Sequence, residues 1–298
     1  MKFNEKYDSY LNSFEGFMKT IFYKYICGCV PIREAMEYSI NAGGKRIRPV
    51  LMCAIADSMG MDMSFVAPYG AAIEFIHTYS LIHDDLPAMD DDDFRRGKPS
   101  NHKVYGEAMA ILAGDSLLNL AYEVMSDYVI ANSKLNTVSN HAIAMNYIAK
   151  CAGGRGMVGG QVYDLEAENV SVDIKRLELI HLLKTGALIR ACVVVPGIVK
   201  GKDPEYIKKL ERVGNNLGMI FQIKDDILDV EGDKEILGKS IGKDEKSGKA
   251  TYVTLLGIDE AKKLLIDICE KNVELLKELE LSNEFMLGMI EFLRDREK

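Results

Sequence analysis

Two runs of aspartate lie far apart on the chain. The first is Asp84-Asp85-Leu86-Pro87-Ala88-Met89-Asp90, extended by Asp91-Asp92-Asp93 and followed by Arg95-Arg96-Gly97; the second is Asp225-Asp226-Ile227-Leu228-Asp229. Carboxylates gathered this densely repel one another unless cations lie between them. Oxygen-only donors suit a hard ion such as Mg²⁺, which prefers carboxylates plus substrate phosphates over a complete protein cage. Two such clusters with basic residues nearby point to a site that grips a diphosphate through magnesium.

The second cluster has the simpler geometry. At ~3.6 residues per turn, Asp225 and Asp229 fall one turn apart on one helix face, with Gln222 a turn before them. Gln222, Asp225, Asp226 and Asp229 form a polar stripe on an otherwise apolar helix carrying Ile220, Phe221, Ile223, Ile227 and Leu228. Such a stripe faces solvent or lines a site, and these neighbours are too apolar for a freely exposed helix. In the first cluster Asp84 and Asp90 would diverge on an ideal helix. Pro87 removes a backbone donor there, so the chain can swing Asp90 back toward Asp84. His77 lies two turns before Asp84 on the same face, as a packed core residue or as a ligand; His83 reads as structural.

The basic residues fall in three sets. Arg95 and Arg96 follow the first cluster, and guanidinium groups take phosphate oxygens in pairs. Lys45 and Arg48 lie in Gly43-Gly44-Lys45-Arg46-Ile47-Arg48-Pro49, with the glycines as a turn and Pro49 in a first helical turn. Lys184 and Thr185 interrupt an apolar helix.

The elements that must carry these groups are helices. Apolar helical patterns cover residues 67–83, 106–130, 141–152, 174–195, 204–230, 259–279 and 282–293, and strict alternation is scarce. With 298 residues, 48% hydrophobic and 28% charged, the chain can bury one large core, and no composition shift marks a second domain. A net charge of −8 argues against nucleic acid as a partner. Cys27, Cys29, Cys53, Cys151, Cys192 and Cys269 form no CxxC pair, which speaks against zinc and for a reducing, cytoplasmic compartment. The polar N-terminus has no signal core, and the apolar run at 191–199 contains Pro196 and is too short to span a bilayer, so no membrane insertion is expected. Residues 231–250, rich in glycine and lysine, are a solvated connection or a lid over a phosphate site.

Three motifs mislead. Gly154-Arg155-Gly156-Met157-Val158-Gly159 matches GxGxxG but follows a helical stretch, so its glycines are expected to serve close packing or ligand space. The stretch from Gly232 to Ser240 has one residue too many between its glycines for a Walker A loop, and the first aspartate run lacks the glycine and glutamate positions of an EF-hand.

Taken together, Gly43-Gly44-Lys45-Arg46-Ile47-Arg48-Pro49, residues 84–97, Gly159-Gly160-Gln161-Val162-Tyr163-Asp164-Leu165, Lys184-Thr185-Gly186 and Phe221-Gln222-Ile223-Lys224-Asp225-Asp226-Ile227-Leu228-Asp229 resemble the trans-isoprenyl diphosphate synthases, most closely the bacterial farnesyl diphosphate synthases. The resemblance spans nearly the whole chain; Ile47, where the family often has leucine, is a mild departure. By analogy of fold it implies a single all-α domain over residues 1–298, about ten core helices around a deep cavity, and a homodimer. It implies that Asp84 and Asp90 with Asp85 hold two Mg²⁺ ions on an allylic diphosphate and that Asp225 with Asp226 and Asp229 holds a third. It further assigns Arg95, Lys184 and Lys239 to the allylic diphosphate, and Lys45, Arg48, His77 and Arg96 to isopentenyl diphosphate. Thr185 and Gln222 would line the reacting centre, and the tail Arg296-Glu297-Lys298 would fold over the isopentenyl site.

The implied reaction is ionisation of the allylic substrate, attack by the isopentenyl double bond and loss of a proton. Tyr79, five residues and ~7.5 Å before Asp84, would floor the cavity; Ser80 beside it is the second candidate for setting product length. With the Pro87-Ala88 insertion, an aromatic there marks C15 producers in the family. The rival readings are a geranylgeranyl diphosphate synthase, a terpene cyclase (which has no use for Lys45, Arg48 and His77), and a non-catalytic partner subunit, which would lack one of the two intact acidic clusters.

Overall fold

α1 (Phe3–Tyr25) buries Tyr10, Phe14, Met18, Ile21 and Phe22, a stripe at helical spacing that faces the core while its charges stay wet. The pattern changes in α4 (Ala67–Asp84) and α10 (Gly186–Lys200), which are apolar nearly all round and buried nearly all round. They are the inner helices, and the amphipathic ones pack around them. The computed structural model describes residues 2–26, 28–134, 136–168, 170–231 and 250–296.

Between these lie α2 (Val30–Ile40), α3 (Ile47–Ser58), α5 (Asn101–Tyr105), α6 (Glu107–Ala131), α7 (Val138–Ala152), α8 (Met157–Ala167), α9 (Ile174–Lys184) and α11 (Pro204–Glu231). After residue 250 come α12 (Tyr252–Leu256), α13 (Ile258–Glu278) and α14 (Glu284–Asp295). α4 packs on α3 and α6, and α10 packs on α3, α7 and α11. α6 is long and apolar enough to cross a membrane by length and composition, as is the bent pair α9–α10 taken as one span. α10 is core, however, and α6 packs on α4 while exposing Asp115, Glu123 and Asp127. Cys29, Cys53, Cys151, Cys192 and Cys269 are free thiols.

The described strands are a two-residue hairpin, β1 (Phe94–Arg95) against β2 (Lys98–Pro99), that the helical patterning does not foretell. Its turn residues Arg96 and Gly97 both have positive φ, 54° and 75°, as a tight two-residue hairpin needs.

One expected helix is two. The 174–195 pattern breaks at Thr185, where α9 and α10 meet at 53°. Gly186 lies at the break, and close backbone packing from elsewhere in the chain meets it there. A Cβ on Gly160 of α8 would lie 2.2 Å from the Lys184 nitrogen, and one on Gly218 of α11 would lie 2.7 Å from the Gly186 Cα. The Gly154–Gly159 motif does have a packing role, but a local one: added Cβ atoms on Gly156 and Gly159 would strike the Cys151 and Gly154 carbonyls in the α7–α8 turn. The element directly before it is the helix α7.

Gly218→Ala therefore forces α10 and α11 apart beside the break. A loss of about 1–3 kcal/mol is expected from overpacking, read as a melting temperature several degrees lower; an unchanged melt contradicts this account.

Candidate active site

α4 ends at Asp84 because the chain turns over Leu86 and Pro87 and comes back: the Asp90 amide donates to the Asp84 carbonyl at 2.9 Å. That return sets Asp90 beside Asp84, as Pro87 led one to expect. From α8, Gln161 Nε2 donates to Asp84 Oδ1 at 2.6 Å. From α9, Lys184 Nζ lies 2.7 Å from Asp164 and 3.9 Å from Asp84. Burial raises the Asp84 carboxyl above the usual range; Lys184 works against this and Asp90 adds to it.

The next residue reaches the other cluster. Thr185 Oγ1 donates to Gln222 Oε1 at 3.2 Å, and Gln222 Nε2 donates to Asp226 Oδ1 at 3.2 Å. Asp226 is buried and also accepts the Tyr252 amide at 2.8 Å, with His181 Nε2 at 4.0 Å. Asp225 pairs with Arg296 at 2.8 Å, and the Arg296 guanidinium also donates to the Phe221 carbonyl and stacks on its ring at 4.0 Å. Asp229 follows one turn on, part-buried. The two acidic runs thus meet the α9–α10 break from two sides: Lys184 faces Asp84 directly, and Thr185 reaches Asp226 through Gln222.

The polyprenyl synthetase family pattern matches residues 30–283. A farnesyl diphosphate synthase of Micrococcus luteus is 46% identical over 267 residues, 90% of each chain. A chloroplastic geranylgeranyl pyrophosphate synthase of Catharanthus roseus is 46% identical over 233 residues, 78% of this chain and 64% of that one. The crystal structure of a geranyltransferase from Legionella pneumophila superposes with a TM-score of 0.86 at 33% identity, covering 99% of this chain and 97% of that one. The chain belongs to the polyprenyl synthetase family. Its all-α fold is the fold of these synthases.

Four arginines of this synthetase, Arg46, Arg48, Arg95 and Arg96, gather around His77 of α4. Arg95 donates through Nε to Asp85 at 2.9 Å, makes a second bond to it through Nη2, and reaches Asp92 at 3.5 Å. Asp85 is thereby turned inward, and its carboxyl is raised by burial despite Arg95. Arg96 donates to the Gly43 carbonyl, and its guanidinium fills the space that a side chain at Gly44 would take. The Lys45 ammonium stands 5.6 Å from the Phe292 ring of α14. Arg48 is lowered by burial, with Glu74, Cys192 and Asp225 opposing, and its buried Nε has no acceptor among the described residues.

Tyr79 is buried edge-on to His83, and burial followed by Tyr122 pushes its hydroxyl up to about 12. Ser80 Oγ donates to the His77 carbonyl at 2.9 Å. His83 meets the Ile111 carbonyl at 3.1 Å, a structural contact as expected. Lys239, Glu297, Lys298 and almost all of the 231–250 loop lie outside the described residues. Sequence reasoning gave no role to Gln161, Asp164, His181 or Tyr252. The spacing of Gln161 and Asp164 within Gly159-Gly160-Gln161-Val162-Tyr163-Asp164-Leu165, one helical turn, was the available signal.

Among the described residues no three acidic, imidazole or thiol groups stand close enough to hold a metal ion unaided. The donors do fit Mg²⁺ shared with a substrate. Asp84 and Asp90 bring like charge together, and a hard ion completes its shell on phosphate oxygens.

His77 is held well below its usual pKa by burial and then by Arg48, Arg96, Arg46 and Arg95. His181 is held to about 4, chiefly by burial. Both take up a proton more readily in the unfolded chain, so their share of the folding free energy worsens as pH falls below about 6.5. Imidazole NMR at about pH 5.5, where an ordinary histidine is mostly charged, should find both rings neutral. Charged shifts there contradict the burial argument.

Proposed function

We propose that this synthetase joins isopentenyl diphosphate head to tail to dimethylallyl and then geranyl diphosphate, giving farnesyl diphosphate and inorganic diphosphate. The observation that carries the reading is the Lys184–Thr185 junction, where Lys184 faces Asp84 at 3.9 Å and Thr185 is linked to Asp226 through Gln222. The M. luteus relative, matched over nine-tenths of both chains, supports the C15 product.

In this reading Asp84 and Asp90, with Asp85, would hold two Mg²⁺ ions on the allylic diphosphate, and Asp225, Asp226 and Asp229 would hold a third. When bound, the ions neutralise charge gathering on the leaving diphosphate. Lys184 and Arg95 bind the same diphosphate; Lys239, outside the described residues, joins them. The allylic C1–O bond breaks and the electron pair leaves with diphosphate. The isopentenyl double bond attacks C1, and a proton then leaves C2 of the isopentenyl unit for the released diphosphate. The Thr185–Gln222–Asp226 chain supplies fixed dipoles beside the cation, and apolar walls exclude water. Isopentenyl diphosphate takes Lys45, Arg48, Arg96 and neutral His77, and its oxygens satisfy the orphaned Arg48 Nε. Tyr79 floors the tail space with Ser80. A second copy of the chain covers Val104, Ile111 and Leu112, exposed on α5 and α6, to form a homodimer. The free thiols fit a reducing cytoplasm.

The relative from C. roseus favours a second reading, a C20 product, and sizing the product from labelled isopentenyl diphosphate, each allylic primer and Mg²⁺ decides between them.

Asp84→Ala and Asp225→Ala should each cut kcat by about a hundredfold or more with unchanged circular dichroism, and chelation of Mg²⁺ should stop turnover. Wild-type rates in either variant contradict the assignment. Tyr79→Ala should lengthen the product in the same sizing assay; an unaltered product removes Tyr79 as the floor.

A further inference from the structure

Arg46 stands between two residues given to isopentenyl diphosphate, yet it has no part in the reaction above. Its backbone is left-handed, with φ of 50°, a conformation that costs an L residue roughly 1 kcal/mol or more. Its guanidinium points into the protein and is 5% exposed. Nη1 lies 2.7 Å from Glu74 Oε1 of α4, and Nη2 donates to the Ile40 carbonyl at the end of α2. Nε is 3.8 Å from Glu15 of α1. One side chain therefore ties the loop before α3 to three helices, and the strain of its backbone is held by those contacts.

Glu74 is as deeply placed, at 3% exposed. Its charge acts on Arg48 and Arg96 as well as on Arg46, and His77 follows it by one turn on α4. Four guanidinium groups crowd His77; Arg95 is paired with the buried Asp85, and Glu74 is the buried carboxylate that faces the other three. Without it the cluster would hold unbalanced buried positive charge, a state that costs several kcal/mol. With Arg46 fixed inward, the loop is set so that Tyr7 donates to the Lys45 carbonyl at 2.5 Å and Lys45 lies against Phe292.

We propose that Glu74 and Arg46 are positioning residues for the homoallylic diphosphate pocket: they touch no substrate, but their buried ion pair sets Lys45, Arg48, Arg96 and His77 and restrains the mutual repulsion of the basic groups before the anion arrives. This rests on the assignment of those four residues to isopentenyl diphosphate.

The test is calorimetric titration of the full chain with isopentenyl diphosphate and, separately, with dimethylallyl diphosphate plus Mg²⁺, for the wild type and Glu74→Gln. The variant should bind isopentenyl diphosphate about tenfold more weakly, with KM for it raised in step. Its kcat and its affinity for the allylic substrate should stay within about twofold. Unaltered isopentenyl affinity in a folded variant overturns the inference, and so does an equal loss for both substrates, which a merely structural role gives. If Glu74→Gln does not melt cooperatively, Arg46→Lys keeps the charge pair but loses the bond to Ile40. It should weaken isopentenyl diphosphate about threefold, and no change overturns the inference. A wild-type protein that takes up no isopentenyl diphosphate sinks the proposed function itself. Wild-type uptake with unmoved variants sinks the inference alone.

Discussion

A charge carried on an apolar helix must find its counter-charge inside the protein, because burying it alone costs several kcal/mol. The whole site follows from that constraint. Asp85 meets Arg95, Asp164 meets Lys184, Asp225 meets Arg296 and Glu74 meets Arg46. The members of each pair come from different elements, so the pairs that neutralise the site also fix its geometry. Lys184 is the pivot. It reaches Asp164 on α8 and Asp84 on α4 from the last turn of α9, and the residue after it reaches α11.

Distances in this arrangement are set by what is missing as much as by what pairs. Gly160 lets α8 reach the backbone at Lys184, and Gly218 lets α11 reach the backbone at Gly186. Any side chain at either place would widen the gap between the acidic clusters. Rigid inner helices then transmit the placement: α10 runs from the break straight into the core, with most of its residues fully buried.

The acidic clusters, their helices and the return of Asp90 were legible because each depends on local spacing: three- and four-residue intervals on one face, and one proline. Residues 174–195 read as a single helix because the apolar pattern runs across Gly186 without interruption; the close approaches at the break come from Gly160 in α8 and Gly218 in α11. The hairpin escaped notice for a related reason, since its cue is the backbone tolerance of Arg96-Gly97 and not apolar periodicity. The polar stripe of α11 was legible as a stripe, but not that Asp226 turns inward to the Tyr252 amide. That contact needs a segment from beyond residue 250. Arg46 drew no role from its place in the sequence, and only the partner on α4 reveals its inward course.

Exposure sets one of the four ion pairs apart, since in the other three, Asp85–Arg95 with Arg95 at 23% included, one member at least is partly exposed. The Asp225 side chain is 41% exposed and that of Lys184 26%, whereas those of Arg46 and Glu74 are both 3%. A partly exposed pair in water is worth little and can be exchanged for another ion at small cost. A fully buried pair is expensive to break because one member is left uncompensated. In the proposed reading the more exposed pairs are the ones that the substrate diphosphate and its metal ions would displace, and the buried pair is the one that would hold the isopentenyl pocket. α4 carries a member of each kind, Asp84 at its end and Glu74 within its buried length, so in the proposed reading one helix would serve both the exchangeable and the fixed side of the site.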